Sequence, residues 1–198
     1  MSKTPIKELA INFVPREITT PNKDQPGLSK TVFSHVSSFH SLLIDWVKLK
    51  DKGSKFCKGI SSVKLHEYND DYYPHLLKPL TEGLVEIIDS FQNIIEGIKI
   101  LKNQLDSLSK LQSTDQPVIL TWSVGRIHAC VKNTYESLLK EYKLKKIVTE
   151  NIAHCRDESL IEVYVSSWEF DPYLNMEENA YLFAEIGVAG ISSFKKII

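Results

Sequence analysis

One neighbouring pair of side chains, His154 and Cys155, could form a nucleophile and its base. A thiolate attacks electrophiles when a histidine within hydrogen-bond reach accepts its proton. Adjacent residues of a helix point about 100° apart, however, which places this pair poorly for that reaction. The chain contains no glycine-rich phosphate loop, no Gly-x-Ser-x-Gly and no His-Glu-x-x-His. We therefore predict no catalytic residue; the alternative is an enzyme whose site is assembled from distant residues around His128 or His154.

Carboxylates and the other histidines give no better site. Glu177 and Glu178 stand where a short helix should start, so they are expected to stabilise the helix dipole. His35 and His40 are five residues apart and do not share a helix face as two metal ligands would. We predict no metal site and no cofactor.

Two short motifs mark a different chemistry near the N-terminus, Thr4-Pro5-Ile6-Lys7 and Thr20-Pro21-Asn22-Lys23. Cyclin-dependent kinases favour this Thr-Pro-x-Lys form, and proline keeps a segment extended for a kinase groove. Thr4 and Thr20 are therefore candidate phosphorylation sites, with chance occurrence as the alternative. The density of proline predicts that residues 1–29 form a disordered tail.

The element around which the rest of the chain is organised is a predicted helix from Leu77 to Leu108. Its large apolar residues recur at steps of three and four, which is the heptad pattern of a coiled coil. The predicted partner-binding seam consists of Leu84, Ile87, Phe91, Ile94, Ile98, Leu101, Leu105 and Leu108. Asn69 to Asp71 should cap this helix, and Pro79 should kink or delay it.

A ridge of this length must be covered by other helices. We expect a seam shared in part with another protein; the alternative is a long core helix in a monomeric bundle. The remaining predicted elements are a helix over 30–52 ended by Gly53, a linker over 53–68, a packed loop over 118–120, a helix over 123–154 capped by Thr121 or Ser123, and short helices over 160–168 and 177–186.

These elements predict an all-α fold, an elongated helical bundle built on a long central coiled-coil helix with short C-terminal helices. The predicted domain spans residues 30–190 and is followed by a tail over 191–198. A local basic cluster on the third helix is expected to be a solvated face paired with Glu136 and Glu141. Its members are Lys140, Lys143, Lys145 and Lys146.

Composition narrows the class of protein. Apolar residues make up 42% and charged residues 25% of the 198, enough for a packed core. A net charge of -1 argues against direct nucleic-acid binding, which needs an excess of cations. No apolar run is long enough for a membrane span, and we expect no membrane association. Three distant cysteines without a Cys-x-x-Cys motif are typical of free thiols in a reducing compartment.

Several short segments occur in a particular order between about Leu42 and Gly187. They are Leu43-x-x-Trp46-x-x-Leu49 with Gly53, Ile60 and Val63-Lys64, Tyr68-Asn69 and Tyr72, Pro117-x-x-x-Thr121-Trp122, Lys140-Glu141, Leu144-Lys145-Lys146 with Val148, Ala153-His154, Ser166-x-Trp168, Pro172-Tyr173, and Leu182, Glu185 and Gly187. In this order and spacing they resemble the family of cyclin-dependent kinase 2-interacting proteins. Phe170-Asp171 differs from the polar pair usual in the family.

This resemblance implies a non-catalytic adaptor in the nucleus, with a cytoplasmic pool as a second expectation. The implied partners are a helical subunit similar to AIRIM, spermatogenesis-associated AAA+ ATPases, cyclin-dependent and Cdc7-type kinases, and a checkpoint kinase complex. The implied roles are large-ribosomal-subunit maturation, replication-protein turnover, and DNA replication and checkpoint signalling. The alternative function is a cyclin-dependent-kinase substrate and regulator that acts through Thr4 and Thr20.

Overall fold

The computed structural model describes residues 26–67, 75–112 and 115–188. Within these ranges the chain is almost wholly helical, so the predicted all-α class is confirmed. The elements in chain order are α1 (Pro26–Ser62), a π-helical turn (Val63–Glu67), α2 (Leu77–Leu111), β1 (Pro117–Ile119), β2 (Trp122–Ser123), α3 (Val124–Asn151), α4 (Glu158–Phe170) and α5 (Glu177–Glu185). No described helix is long and apolar enough to cross a membrane.

Helix α1 is longer at both ends than the sequence predicts. It begins at Pro26, inside the predicted tail, because proline is well suited to the first helical position. It also continues through Gly53, which was expected to end it, and through most of the predicted linker 53–68. Cys57 and Ile60 extend its buried face beyond that glycine, and their burial maintains the helix.

Helix α2 forms the predicted central element and spans Leu77–Leu111. The predicted delay at Pro79 is wrong, since this proline lies in the first turn, where a backbone N–H has no intrahelical acceptor to lose. The predicted caps, Asn69 to Asp71, lie outside the described residues. At about 1.5 Å per residue the helix is roughly 50 Å long, similar in length to α1.

A two-stranded antiparallel hairpin replaces the loop predicted over 118–120. Pro117 pairs with Ser123 and Ile119 with Trp122. Its turn places Leu120 in the left-handed region with φ 37°, a conformation that leucine rarely adopts. Of the two predicted caps for α3, the structure selects Ser123, whose side chain accepts a hydrogen bond from the Arg126 backbone N–H.

The two short C-terminal helices agree with prediction to within a few residues. Asp157 caps α4 by accepting a hydrogen bond from the Leu160 N–H. Asp171 ends α4 in the left-handed conformation, with φ 42°. Gly187, at φ 74°, follows α5 and gives the chain the left-handed residue that commonly ends a helix.

The core lies where α1, α2 and α3 meet, with α4 packed on α1 and α3. Three aromatic rings join these layers. The ring centroids of Trp46 and Phe91 are 4.1 Å apart, and those of Phe91 and Trp168 are 6.3 Å apart. Side chains from α1, α2 and α4 therefore share one hydrophobic centre.

Candidate functional site

The predicted partner-binding seam is covered by the chain itself. Helices α1 and α3 both pack on α2 and bury all of the seam residues except Leu108, which is partly buried against the same core. This placement corresponds to the alternative interpretation, a core helix of one bundle. The physical reason is that α1 and α3 are themselves long enough to cover the whole ridge. A partner helix could reach these side chains only by displacing one of the chain's own helices.

The structure does not bring the other predicted residues together. Thr4 and Thr20 lie outside the described residues. The thiol of Cys155 contacts the Asp157 backbone carbonyl, with its sulfur 3.5 Å from that oxygen. On α3, His128 Nε2 lies 4.0 Å from an Asp106 carboxylate oxygen of α2, at the surface. Within residues 26–67, 75–112 and 115–188 no group of three or more side chains could hold a metal ion.

A buried network of charged side chains joins α1, α3 and the turn after α4. Lys145 Nζ lies 2.6 Å from Asp171 Oδ1 and 3.4 Å from Glu141 Oε2. Lys50 Nζ on α1 lies 3.7 Å from the other Asp171 oxygen. All four side chains are at least nine-tenths buried. Two lysines thus face two carboxylates, and the network is close to neutral overall.

Further hydrogen bonds close this network around the end of α4. Lys145 Nζ donates to the backbone carbonyl of Trp168 at 3.1 Å. The Tyr173 backbone N–H donates to Glu141. The first bond satisfies a carbonyl at the C-terminal end of α4, and the second fixes the turn at Pro172. The charged side chains therefore hold the backbone in place as well as one another.

The indole of Trp168 occupies a space that only glycine leaves open on α1. Its Nε1–H donates to the Lys50 backbone carbonyl at 3.1 Å. A Cβ atom at Gly53 would lie within about 2.5 Å of the indole ring atoms, closer than side chains approach one another. Gly53 is therefore required for close packing and does not end the helix.

Burial changes the pKa of the Glu141 carboxyl group in this network. Removal of Glu141 from water raises the pKa of its carboxyl group, and the nearby Lys145 ammonium opposes that rise only in part. A buried pair contributes little net stability when formed, but loss of one partner leaves the other charge buried and uncompensated, at a cost of about 3–5 kcal/mol. The network therefore fixes the position of α4, and because its side chains are enclosed, no substrate can reach them in this conformation.

This network was not predicted from the sequence, and the prediction for two of its members is wrong. Lys145 and Glu141 were assigned to a solvated face, yet both are fully buried. A signal was present in the spacing of α3, because these two residues continue the buried series at steps of three and four. That series is Leu138, Glu141, Lys145, Val148 and Ile152.

A second set of polar contacts attaches α5 to α3 and to the hairpin. Glu185 accepts hydrogen bonds from the backbone N–H of Thr121 at 3.0 Å and from its hydroxyl group at 2.6 Å. The buried Asn179 side chain accepts from the thiol of Cys130 at 3.0 Å and lies 3.0–3.1 Å from the Thr134 hydroxyl. Burial raises the pKa of the Cys130 thiol to about 12, so it is protonated at neutral pH and acts as a hydrogen-bond donor.

Several of the residues on which the family resemblance rests lie in these two contact sets. Gly53, Glu141, Lys145, Trp168 and Tyr173 meet at the buried network. Thr121 and Glu185 meet at the hairpin, where the Trp122 ring packs under the Arg126 guanidinium at 4.1 Å. These residues take part in contacts that hold α4 and α5 on the rest of the bundle, whereas Asp171, at the centre of the network, lies in the pair that departs from the family pattern.

These features define an all-α protein whose charged cluster is a structural anchor between helices. No family model matches the chain. The chain is similar to the cyclin-dependent kinase 2-interacting protein of Mus musculus, at 22% identity over 204 residues that cover 85% of this chain and 92% of the relative. The proteins of that name from Homo sapiens and Bos taurus are each 21% identical and cover 82% and 84% of this chain and 90% and 91% of their own. The predicted resemblance to cyclin-dependent kinase 2-interacting proteins is confirmed.

Proposed function

We propose that this protein is a non-catalytic adaptor that binds a cyclin-dependent kinase and has a role linked to the cell cycle. The observation that carries this proposal is the similarity to proteins named for interaction with cyclin-dependent kinase 2, which extends over more than four-fifths of the chain. A match of that extent is far longer than any single helix of the bundle, so it does not rest on one short motif.

Two observations favour binding over catalysis as the role of this bundle. The network of Lys50, Glu141, Lys145 and Asp171 is enclosed, and its contacts hold helices together. The open groove between α1 and α2 is lined by Asp45, Lys48, Leu49, Ser90, Asn93 and Ile94. Neither His128 nor His154 lines that groove, although the alternative of an enzyme with a site assembled from distant residues rests on these two histidines.

The finer proposal is that the adaptor acts in the nucleus, with a cytoplasmic pool as a second location. It would bridge a helical subunit similar to AIRIM and spermatogenesis-associated AAA+ ATPases in large-ribosomal-subunit maturation and replication-protein turnover. It would also serve Cdc7-type and checkpoint kinases. The family resemblance is the support for each of these partners. Since the α2 ridge is occupied within the chain, a partner of the folded bundle would bind its outer surface.

Kinase binding can be tested with the purified full-length chain and a purified complex of cyclin-dependent kinase 2 with its cyclin. We expect the two to migrate together in size-exclusion chromatography, and a chain unfolded by Lys145→Glu should not join the complex. Separate elution of folded chain and kinase over a range of micromolar concentrations would refute the proposal. Affinity purification with mass spectrometry then compares AAA+ ATPases with kinases as the dominant partners.

The alternative function is that of a kinase substrate and regulator. Two Thr-Pro-x-Lys motifs, at Thr4 and Thr20, favour it. Incubation with the active kinase and ATP should add up to two phosphates, detected as mass shifts, and the Thr4→Ala/Thr20→Ala variant should accept none. If the double variant is phosphorylated as fully as the parent, these motifs are not the substrate sites.

A further inference from the structure

Helix α4 has a second apolar row that does not contact the core. At about 100° per residue, Leu160, Val163, Ser167 and Phe170 fall within about 80° of one another around the helix. Leu160, Val163 and Phe170 are exposed, as is Tyr173 just beyond the helix. The core-facing residues lie on the other side of the helix, at Ile161, Val165 and Trp168. We name the exposed row of Leu160, Val163, Phe170 and Tyr173 the α4 outer face.

The exposed row is unusual because its neighbours along the chain add no cation. From Asp157 to Val188 the sequence contains eight carboxylates and no lysine, arginine or histidine. Three of these carboxylates, Glu158, Glu162 and Glu169, form a second row along α4, within about 40° of one another. A strongly acidic stretch that also exposes large apolar side chains attracts a basic apolar partner and repels an acidic one.

Contacts with α1 leave this acidic row available. Glu169 pairs with Lys58 at 3.0 Å, but both side chains are about half exposed. Such an exposed pair is weak, and Glu169 exchanges Lys58 easily for another cation. Glu162 accepts a hydrogen bond from the Ser61 hydroxyl at 3.0 Å. Because a hydroxyl group is neutral, this bond does not compensate the charge of the Glu162 carboxylate.

A second copy of the chain fits this face poorly. A two-fold contact between α4 outer faces would bring the two acidic stretches together, where like charges oppose association. The helix is only about 20 Å long, and three or four side chains bury far less than the roughly 800 Å² per partner of a stable interface. The same small area predicts a weak, reversible contact with any single helix.

We infer that the α4 outer face is a docking site for an amphipathic helix of another protein, one with an apolar stripe flanked by lysine or arginine. The apolar stripe covers Leu160, Val163 and Phe170, and its basic flank lies toward the glutamate row. This inference rests on the proposed adaptor function and names the chemistry of one partner. It also assigns that partner a surface which the rest of the described chain, within residues 26–188, leaves open.

The experiment uses the full-length chain and a designed fluorescent peptide helix of about five turns, with leucines at coiled-coil spacing and lysines at the flanks. Two further peptides replace the lysines with glutamate or the leucines with alanine. Fluorescence anisotropy should show micromolar binding of the first peptide and roughly tenfold weaker binding of the other two. Binding should also weaken in about 1 M salt, where charges are screened over about 3 Å.

The chain offers a closely matched pair of variants. Val163 on the outer face is 55% exposed, and Val85 on α2 is 52% exposed. Val163→Lys should weaken binding of the basic peptide about tenfold or more, because it removes apolar area and adds a repelling charge, whereas Val85→Lys should leave binding unchanged. Thermal unfolding checks that both variants remain folded.

Three results would overturn the inference. The first is equal peptide binding by the Val163→Lys and Val85→Lys variants, and the second is equal binding of the lysine and glutamate peptides. The third is a dimer of the parent chain in analytical sedimentation that Val163→Lys converts to a monomer and Val85→Lys does not. Kinase binding is measured separately on the same variants. If the parent chain does not bind the kinase, the proposed function is refuted. The peptide result decides separately whether the α4 outer face binds a basic helix.

Discussion

Replacing Gly53 with alanine should unfold the protein more easily, although alanine is the better helix former. In the middle of a helix, the higher helix propensity of alanine by itself raises the free energy of unfolding by about 1 kcal/mol. Here the new methyl group would lie within 2.5 Å of the Trp168 indole, which is fully buried and cannot move into solvent. The indole must therefore shift, and its hydrogen bond to the Lys50 carbonyl must lengthen or break.

The expected size of the effect follows from these contacts. Overpacking costs about 1–3 kcal/mol, and a buried donor and acceptor left without partners cost about 1–3 kcal/mol more. After the gain in helix propensity, the net loss is about 1–5 kcal/mol. Near the middle of that range, a chain of this size loses roughly 6–12 °C in melting temperature.

Urea unfolding followed by tryptophan fluorescence measures the loss, since all three tryptophans are buried and report on the core. The matched control is Gly59→Ala in the same helix, where the nearest atom is the flexible end of Leu80 at 3.3 Å. That control should change stability by less than about 1 kcal/mol, toward stabilisation. In a Trp168→Leu background the cost of Gly53→Ala should shrink, because the clashing ring is gone. Equal midpoints for the two alanine variants would refute the reasoning.

Three further predictions follow from burial. Lys145→Met should lower the free energy of unfolding by about 3–5 kcal/mol, because it leaves buried carboxylates unpaired. Lys143→Met, at an exposed position of the same helix, should change it by less than about 0.5 kcal/mol. Urea unfolding measures both variants. Burial raises the pKa of Glu141 above its usual value of 4.5, so the folded state holds that proton more tightly than the unfolded chain. Ionisation then opposes folding, and Glu141→Gln should gain stability relative to the parent as pH rises above 4.5; a constant difference across pH would contradict this. Burial also raises the pKa of the Cys57 thiol to about 12, so native labelling with iodoacetamide near pH 8 should modify the partly exposed Cys155 first, and mass spectrometry of a Cys155→Ser variant should show that this rapid step is lost.

The central helix was predictable from sequence because its apolar residues repeat at helical spacing over its whole length. The same local logic predicted a cap for α3 at Thr121 or Ser123 and an end for α4 near Pro172, since capping and proline effects depend on neighbouring residues only. The family resemblance was also predictable from the sequence, and the similarity to cyclin-dependent kinase 2-interacting proteins over more than four-fifths of the chain confirms it.

Local logic failed where a distant residue decides the outcome. Gly53 is a plausible helix end by itself, yet the indole of Trp168, far along the chain, makes it an interior packing residue. Lys145 and Glu141 look solvated because charged side chains usually are, and only Asp171 and the Trp168 carbonyl explain their burial.

The sequence by itself determined that the chain forms long amphipathic helices with a continuous apolar ridge at its centre. It also determined the acidic character of the C-terminal part, which contains no cation from Asp157 to Val188. Only the tertiary structure decided which helices cover the ridge and which apolar row is left exposed. Periodicity shows that a face must be buried, but the identity of the covering surface depends on how chain segments distant in sequence pack together.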